Sequence, residues 1–189
     1  MSKRAGVNAV LAEARRGLNV AVVHPGFMLG PWDWKPSSGR MMVEVARAPR
    51  PLAPSGGCSV CDARDVADGT IAAMDGVLNR SIPAGREFVL AGVNWDYLRL
   101  WTEMAGRVGR RPPWKRVGPI PRLIGGVYGD LVSKFTANES DLNSAAIAMS
   151  HQFHFHDSSR AAAELGYSNR EVGQTLDDAA EWLRRFFAA

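Results

Sequence analysis

Residues 3–16 are predicted to form an amphipathic helix, because their apolar positions recur at intervals of three and four along the chain. These positions are Val7, Val10, Leu11 and Ala14. Gly17 follows, at a place where helices commonly end in the left-handed conformation. Residues 18–23 are almost all apolar and rich in β-branched side chains, which predicts a strand covered on both faces, as strands of a parallel sheet are.

The rest of the sequence alternates between short apolar runs and helical periods, which predicts an α/β fold. Further strands are predicted at 58–61, 86–91 and 114–117, and further helices at 39–47, 95–108, 121–138, 157–166 and from Thr175 onward. Asp65 is the predicted N-cap of one more helix, and Asn94 is the predicted N-cap of the helix at 95–108.

Composition and charge exclude several classes of protein. The chain has 189 residues, 46% of them hydrophobic and 22% charged, which is typical of one globular domain. No apolar run approaches the roughly 20 residues of a membrane helix, and no secretory signal is evident, so we predict a cytoplasmic protein without a membrane partner. The net charge of +4 comes from basic residues interspersed with acidic ones, which indicates a solvated surface and not a nucleic-acid interface.

The two cysteines and the histidine cluster do not form a metal motif. Cys58 and Cys61 lie within a predicted strand, where neither a thioredoxin-type helix start nor a complete zinc ligand set is available. His154 and His156 would share one face of an extended segment, but no acid or cysteine nearby completes a site. We therefore predict no metal, structural cysteines and half-exposed histidines.

A loop rich in Gly, Pro and Trp is a candidate substrate-binding segment. Its aromatic and polar side chains suit a hydroxylated ring, and its cations suit a diphosphate. The residues proposed to bind substrate are Trp32, Lys35, Ser37 and Arg40. An equally good interpretation is a surface loop held by a buried tryptophan.

Five segments, in order along the chain, resemble motifs of the extended short-chain dehydrogenase/reductase family, in particular its NAD-dependent epimerases/dehydratases and dihydroflavonol-reductase-like members. The segments are Ser2-Lys3 with the helix that follows, His24-Pro25-Gly26-Phe27-Met28-Leu29-Gly30-Pro31, Asp62-Ala63-Arg64-Asp65-Val66-Ala67, Arg86 to Gly92 followed by Asn94, and Asp157-Ser158-Ser159-Arg160-Ala161 with Glu164-Leu165-Gly166-Tyr167. The resemblance covers essentially the whole chain. It implies the C-terminal part of a Rossmann-type parallel sheet with a mostly helical substrate-binding region.

The resemblance also implies roles for particular residues. Lys3 takes the position of the lysine in the family's Tyr-x-x-x-Lys motif, which binds the nicotinamide ribose and lowers the pKa of the catalytic tyrosine. Without the resemblance, Lys3 would be an exposed lysine at a frayed terminus. Pro25, Gly26, Phe27 and Met28 take the position of the segment that faces the nicotinamide, although Pro25 and Gly26 could also form only a turn.

Two expected parts of the family's active site have no counterpart in the sequence. The catalytic tyrosine would stand before Met1, and no strand-Gly-x-x-Gly-x-x-Gly-helix arrangement occurs. The cofactor of the intact family member is NAD or NADP, and we expect the 189-residue chain alone not to bind it tightly. We expect a remnant of the NAD(P)-binding domain at 1–57 and the remaining strands with the substrate-binding region at 58–189.

These observations leave two functional hypotheses. In the first, the chain is a truncated NAD(P)-dependent oxidoreductase or epimerase that acts by hydride transfer on a small molecule, such as a sugar nucleotide or a similar hydroxyl or carbonyl compound. In the second, it is an inactive remnant or a binding module that completes its sheet with a partner. The predicted partner is a missing N-terminal half or a second copy of the chain.

Overall fold

The computed structural model describes residues 2–35, 37–48, 52–116 and 149–187. The helices in these ranges are α1 (Ser2–Ala14), α2 (Arg40–Arg47), α3 (Ala63–Leu78), α4 (Tyr97–Arg107), α5 (Ser159–Leu165) and α6 (Val172–Phe187). The strands are β1 (Ala21–Pro25), β2 (Phe27–Leu29), β3 (Gly57–Asp62), β4 (Arg86–Leu90), β5 (Val93–Asp96) and β6 (Phe153–His154). No helix in the described ranges is long and apolar enough to cross a membrane.

The strands form two small sheets, mostly parallel. β1 and β4 pair in parallel in one sheet, with Ala21 opposite Arg86. In the other, β3 pairs in parallel with β2 and with β6, and antiparallel with β5. β2 belongs to the predicted range 1–57, and β3 belongs to the predicted range 58–189 apart from its first residue. Because the two strands pair, this sheet contains strands from both predicted ranges. The predicted α/β class with a parallel sheet is confirmed.

Most predicted elements are present, with corrections at their ends. The first strand covers Ala21–Pro25 and not 18–23. The N-cap of α3 is Asp62 and not Asp65, because the Asp62 carboxylate accepts the backbone N–H of Arg64 at 2.8 Å. The N-cap of α4 is likewise Asp96 and not Asn94, because Asp96 accepts the backbone N–H of Arg99.

Two further predicted elements lie partly or wholly outside the described residues. The helix at 121–138 lies outside the described residues. In the predicted strand at 114–117, Arg116 forms one isolated bridge to Ala53, and residue 117 lies outside the described residues.

Two apolar clusters hold the sheets to the helices. The larger lies between β3, β5 and helices α2, α4 and α6, and the smaller lies between the β1–β4 pair, α3 and α5. In the smaller cluster Phe88 and Leu90 of β4 are fully buried. Removal of such side chains from water is the main favourable contribution to folding.

Strand β1 is half-buried from Ala21 to His24, and it is not the strand fully covered on both faces that its apolar sequence predicts. Ala21 and Val23 pack against the smaller cluster, but Val22 and His24 point to the other face, where His24 hydrogen-bonds Glu87 at 2.9 Å. Among the described residues, β4 is the strand that pairs with β1, and the other edge of β1 has no strand partner. An open edge of this kind is a template for pairing with another polypeptide.

We expect the open edge of β1 to make the 189-residue chain associate with itself at high concentration. Val22→Lys places a charge on this edge and should raise the concentration needed for association roughly tenfold. Ile71→Lys is the matched control, because Ile71 is 53% exposed on α3, away from any strand edge. Light scattering after size-exclusion chromatography measures the effect. Equal effects of the two substitutions would rule out edge pairing.

Candidate functional site

The chain passes from one sheet to the other directly after β1. Gly26 lies at this crossing, where its N–H donates to the Leu90 carbonyl at 3.0 Å. A Cβ atom on Gly26 would come within 2.7 Å of the Ser59 carbonyl oxygen, so the close approach requires glycine. Ligands of open α/β sheets bind at such crossings, beyond the carboxyl ends of the strands.

A cleft of 480 Å³ opens at this crossing. Its lining residues are Pro25, Gly26, Phe27, Cys58, Ser59, Tyr97, Met149, Ser150, His154 and His156. The volume lies within the range of small-molecule sites, and the lining combines apolar side chains with a few polar groups. We refer to this space below as the β1 cleft.

Ser59 holds in place the wall of the β1 cleft that contains His154 and His156, which we call the far wall. Its hydroxyl donates to the side-chain oxygen of Asn94 at 2.5 Å and accepts the backbone N–H of His156 at 2.8 Å. It also lies 3.3 Å from the carbonyl oxygen of His154. One side chain of β3 therefore links β5 to the segment that carries both histidines.

The thiol and the phenol in the β1 cleft are both neutral near pH 7. Burial raises the pKa of the Cys58 thiol to about 12 and that of Cys61 to about 12. Burial, with the neighbouring Cys58, also raises the pKa of Tyr97 to about 12, and the Cys58 and Tyr97 side chains hydrogen-bond each other. Tyr97 is therefore a poor general acid/base, since an efficient one has a pKa near the operating pH.

The cofactor-binding residues predicted from sequence do not all meet in this cleft. Pro25, Gly26 and Phe27 line it. Met28 instead lines a separate pocket of 180 Å³, together with Trp32 and Ser37. Lys3 lies in the first turn of α1, exposed and outside the lining of the cleft.

Asp33 shapes the predicted substrate loop. Its carboxylate accepts the backbone N–H groups of Ser37 and Gly39, both at 3.1 Å. A Cβ atom on Gly39 would lie 2.8 Å from this carboxylate, so the turn favours glycine. These two hydrogen bonds hold Ser37 and Gly39 against Asp33.

Trp34 attaches the loop to α6 through contacts between aromatic rings. Its ring centroid lies 4.6 Å from that of Trp182 and 5.0 Å from that of Phe186, both on α6. Trp32 is 60% exposed, and Lys35 is also exposed. Trp34 therefore provides the tryptophan anchor of the alternative interpretation, although it is 61% exposed and not buried.

Arg40 begins α2 immediately after the loop. Its guanidinium lies 3.9 Å from the carboxylate of Glu44, one turn further along the helix. The side chain is exposed, and neither Arg40 nor Lys35 lines either pocket.

The far wall of the β1 cleft was not predicted as a site. His154 pairs with Cys58 across β6 and β3, and His156 follows two residues later on the same face. The alternation of Phe and His at 153–156 predicts this shared face, but it does not indicate which strand lies opposite. Among the described residues no group of three or more potential ligands is placed to hold a metal ion.

The segments 62–67 and 157–167 hold the helices together. The Arg170 side chain donates to the Asp65 carboxylate at 2.7 Å, and Arg86 is paired with Glu164. Gly166 ends α5 in the left-handed conformation with a φ of 68°. The residues of these two motifs therefore stabilise the packing around α3, α5 and β4.

No family model matches the chain. It is 26% identical over 177 residues to a Synechocystis sp. protein whose name assigns it provisionally to dihydroflavonol 4-reductase, covering 92% of this chain and 51% of the relative. It is 27% identical over 191 residues to sterol demethylase protein B of Methylococcus capsulatus, covering 97% of this chain and 55% of the relative. The chain thus spans about half the length of the curated relatives it matches.

Solved structures with this fold include a nucleoside-diphosphate-sugar epimerase from Pseudomonas aeruginosa, with a TM-score of 0.74 at 24% identity, covering 97% of this chain and 54% of the neighbour. A UDP-glucose-4-epimerase from Stenotrophomonas maltophila, with bound NAD, has a TM-score of 0.62 at 19% identity, covering 97% of this chain and 54% of that one. Other neighbours are complexes with NADPH or NADH. These likenesses confirm the Rossmann-type fold.

Proposed function

We propose, from the confirmed resemblance of this chain to the extended short-chain dehydrogenases/reductases, that it forms the nicotinamide-facing and substrate-facing part of an NAD(P)-dependent oxidoreductase or epimerase. The observation that carries the proposal is the β1 cleft, which lies where the chain leaves a parallel strand and crosses to the second sheet. The reaction would be hydride transfer at a carbinol or carbonyl carbon.

The β1 cleft fits a nicotinamide ring. The cleft has the volume for a planar ring, and the half-buried Phe27 supplies apolar area beside it. The backbone of Gly26 forms part of the same wall, packed against the Ser59 carbonyl of β3. We assign Pro25, Gly26 and Phe27 to the walls around the nicotinamide, and Met28, which ends the same segment, to the adjoining pocket that it lines with Trp32. When bound, the cofactor supplies or accepts the hydride.

We assign Lys3 to the ribose hydroxyls of the cofactor and to the electrostatic support of a tyrosine that these 189 residues do not supply in the motif. The end of α1 lies at the start of β4, since a Cβ on Gly85 would be 3.2 Å from that of Ala14. A helix of 13 residues spans about 20 Å, close to the length of β1. If α1 runs antiparallel to β1, Lys3 reaches the edge that carries the β1 cleft.

The substrate of this proposal is a small hydroxyl or carbonyl compound, with sugar nucleotides as one such class. The name of the Pseudomonas aeruginosa neighbour supports that class. The residues proposed to contact the part of the substrate outside the β1 cleft are Trp32, Lys35, Ser37 and Arg40, because all four are exposed, beside the Trp32 pocket or at the start of α2.

The open edge of β1 supports a further part of the proposal. The remaining sheet, with the Gly-rich turn and the acid/base, would pair along this edge, from the same polypeptide or from another. The same edge also supports the second hypothesis, a non-enzymatic assembly module. Cofactor binding separates the two, because an assembly module needs no site for nicotinamide.

We expect the 189-residue chain to bind reduced nicotinamide mononucleotide and NADH with similar, millimolar dissociation constants. The proposed contacts involve only the nicotinamide end, so the adenosine and pyrophosphate of NADH would add no affinity. Phe27→Ala should weaken both ligands roughly threefold through lost apolar contact. Leu78→Ala, at a residue 63% exposed on α3, is the control and should change neither.

Ligand-detected NMR titrations measure these constants. Micromolar binding of NADH with a strong preference over the mononucleotide would contradict the division of contacts. Absence of binding by both ligands at about 10 mM would favour the assembly module. A site with a millimolar dissociation constant would be largely occupied at that ligand concentration.

A further inference from the structure

We infer that an aromatic and basic surface, formed by the loop before α2 and the C-terminal end of α6, binds an anionic lipid surface. Three exposed rings form its centre, and we call them the aromatic patch: Trp32, Trp34 and Phe186. The described lining of the β1 cleft includes none of them, so the inference goes beyond the proposed function and does not depend on cofactor binding.

This surface contact differs from the membrane partner that the sequence excludes. That prediction rests on the length of the apolar runs, none of which approaches the roughly 20 residues of a membrane helix. Side chains that enter only the boundary between lipid headgroups and acyl chains need no such run.

The aromatic patch leaves a large apolar area in contact with water. Trp32 is 60% exposed, Trp34 is 61% exposed and Phe186 is 41% exposed. The Trp34 and Phe186 ring centroids lie 5.0 Å apart, although one residue is near the start of the chain and the other near its end, so folding brings the rings together. Apolar side chains gathered on a surface mark a site of contact with another molecule or with a membrane.

The backbone of Trp32 supports a role in such a contact. Its φ is 68°, in the left-handed region, which is disfavoured for a residue that has a Cβ atom. The backbone N–H of Trp34 donates to the Trp32 carbonyl at 2.9 Å, which closes a tight turn between the two tryptophans. A ring that stays 60% exposed returns little stability for this strain. Because strained backbone of this kind clusters at functional sites, we take the exposed ring to be the functional group.

Cations border the aromatic patch. Lys35 follows Trp34 directly, and Arg184 and Arg185 lie in the last turn of α6. All three side chains are exposed, and the Arg185 guanidinium lies 5.3 Å from the centroid of the Phe186 ring. Long basic side chains beside exposed rings let the rings enter an apolar phase while the charges stay in the polar layer.

The acidic side chains of the same segments do not cancel these cations. The Asp33 carboxylate accepts backbone N–H groups of its own loop, and Glu44 lies 3.9 Å from Arg40. In the last two turns of α6, Glu181 is one acid beside two arginines. The described charge around the aromatic patch is therefore positive, which is complementary to the phosphate groups of anionic lipids.

A lipid surface fits this arrangement better than a second copy of the chain or a nucleic acid does. In a twofold dimer the same surface would face itself, and its cations would meet like charges. Nucleic-acid bases stack on parallel ring faces, whereas the Trp34 ring meets those of Trp182 and Phe186 at 82° and 65°. Tryptophan rings and basic side chains are the groups that proteins place at the boundary of a bilayer.

Vesicle sedimentation with the 189-residue chain tests the inference. The probes are vesicles of phosphatidylcholine alone and vesicles of phosphatidylcholine and phosphatidylglycerol in a ratio of about 2:1. We expect at least tenfold tighter binding to the anionic vesicles at about 0.1 M salt, because each cation near an anionic surface contributes roughly fivefold, and a severalfold loss at about 0.5 M salt. Equal binding to both kinds of vesicle, or no binding by a chain that circular dichroism shows to be folded, would overturn the inference.

Tryptophan substitutions locate the contact. Trp32→Ala should weaken binding to the anionic vesicles roughly tenfold, because it removes an exposed apolar ring. Trp114→Ala is the matched control and should change little, since Trp114 is 62% exposed and has the Lys115 ammonium 4.6 Å from its ring centroid, but lies on another segment. Trp32→Gly should weaken binding as much as Trp32→Ala and should unfold at a higher urea concentration, because glycine adopts a φ of 68° without strain. Equal weakening by Trp32→Ala and Trp114→Ala would overturn the aromatic patch as the contact.

Arg185→Gln tests the contribution of charge. It should weaken binding to the anionic vesicles roughly fivefold and leave binding to phosphatidylcholine alone unchanged. Arg15→Gln, at an exposed position just after α1, is the control, and an equal loss there would show that the net charge of the chain attracts the lipid and would overturn the inference. Tighter binding to a single-stranded oligo-deoxythymidine than to the anionic vesicles would also overturn it, in favour of a nucleic acid.

Discussion

Gly92→Ala is expected to lower the free energy of unfolding by more than about 3 kcal/mol. Gly92 lies between β4 and β5, and a Cβ atom there would come within 1.9 Å of the Val60 carbonyl oxygen and 2.9 Å of its carbon. Both are backbone atoms of β3, so no side-chain rotation can relieve the contact. β3 is itself held by strands on both sides and cannot move without breaking ladder hydrogen bonds.

Gly106→Ala is the matched control, with the opposite expected sign. Gly106 lies in α4, and a Cβ atom there would have no neighbour within 4 Å. Alanine is a better helix former than glycine, so this variant should gain about 0.5 kcal/mol. Urea unfolding followed by tryptophan fluorescence measures both effects. An unchanged midpoint for Gly92→Ala would show that the β3–β5 connection tolerates displacement.

Most helices and the longer strands β1, β3 and β4 were predictable because each carries its own apolar period. The short strands β2, β5 and β6, of two to four residues, were not predicted, because they carry too few residues to show a period and form through pairing with β3.

The ends of the predicted elements were not predictable, because they depend on contacts between distant segments. The apolar run at 18–23 has no polar alternation to fix its limits, and the strand is set three residues later by pairing with β4. Asp62 and Asp65 are both good N-caps by residue type, and only the three-dimensional structure shows which one meets the free N–H groups.

One side of the candidate site was predictable and the other was not, again because local sequence does not show contacts between distant segments. Pro25 to Phe27 directly follow a predicted strand, so local sequence places them at its carboxyl end. His154 and His156 reach the same cleft through the pairing of β6 with β3, which joins segments almost a hundred residues apart. Periodicity reveals which side chains share a face, but it does not reveal which strand they will meet.

Asp62→Asn should cost about 3 kcal/mol at pH 7, because it removes the charge of a fully buried carboxylate that pairs with Arg64. The Asp62 side chain is fully buried and accepts two side-chain hydrogen bonds from Arg64, at 2.9 and 2.8 Å. Arg64 also pairs with Asp178 of α6 at 2.6 Å. The network therefore joins the start of α3 to α6, and its loss should loosen both helices.

The pH dependence of this effect has a definite sign. Burial alone would raise the pKa of the Asp62 carboxyl, but hydrogen bonds from Arg64 and Thr175 outweigh it and hold the pKa below its ordinary value. The unfolded chain therefore takes up the proton first, near pH 3.9. The stability contributed by the ionised carboxylate is complete above that pH and is lost as the pH falls towards the lower value of the folded chain.

The difference in unfolding free energy between the wild type and Asp62→Asn should consequently be largest at pH 6–7 and should shrink below about pH 4. Asp68→Asn, at an exposed position of the same helix, is the control and should stay within about 0.5 kcal/mol of the wild type throughout. Urea unfolding at a series of pH values measures all three proteins. A constant difference down to pH 3 would mean that Asp62 stabilises the fold through its shape and not through its charge.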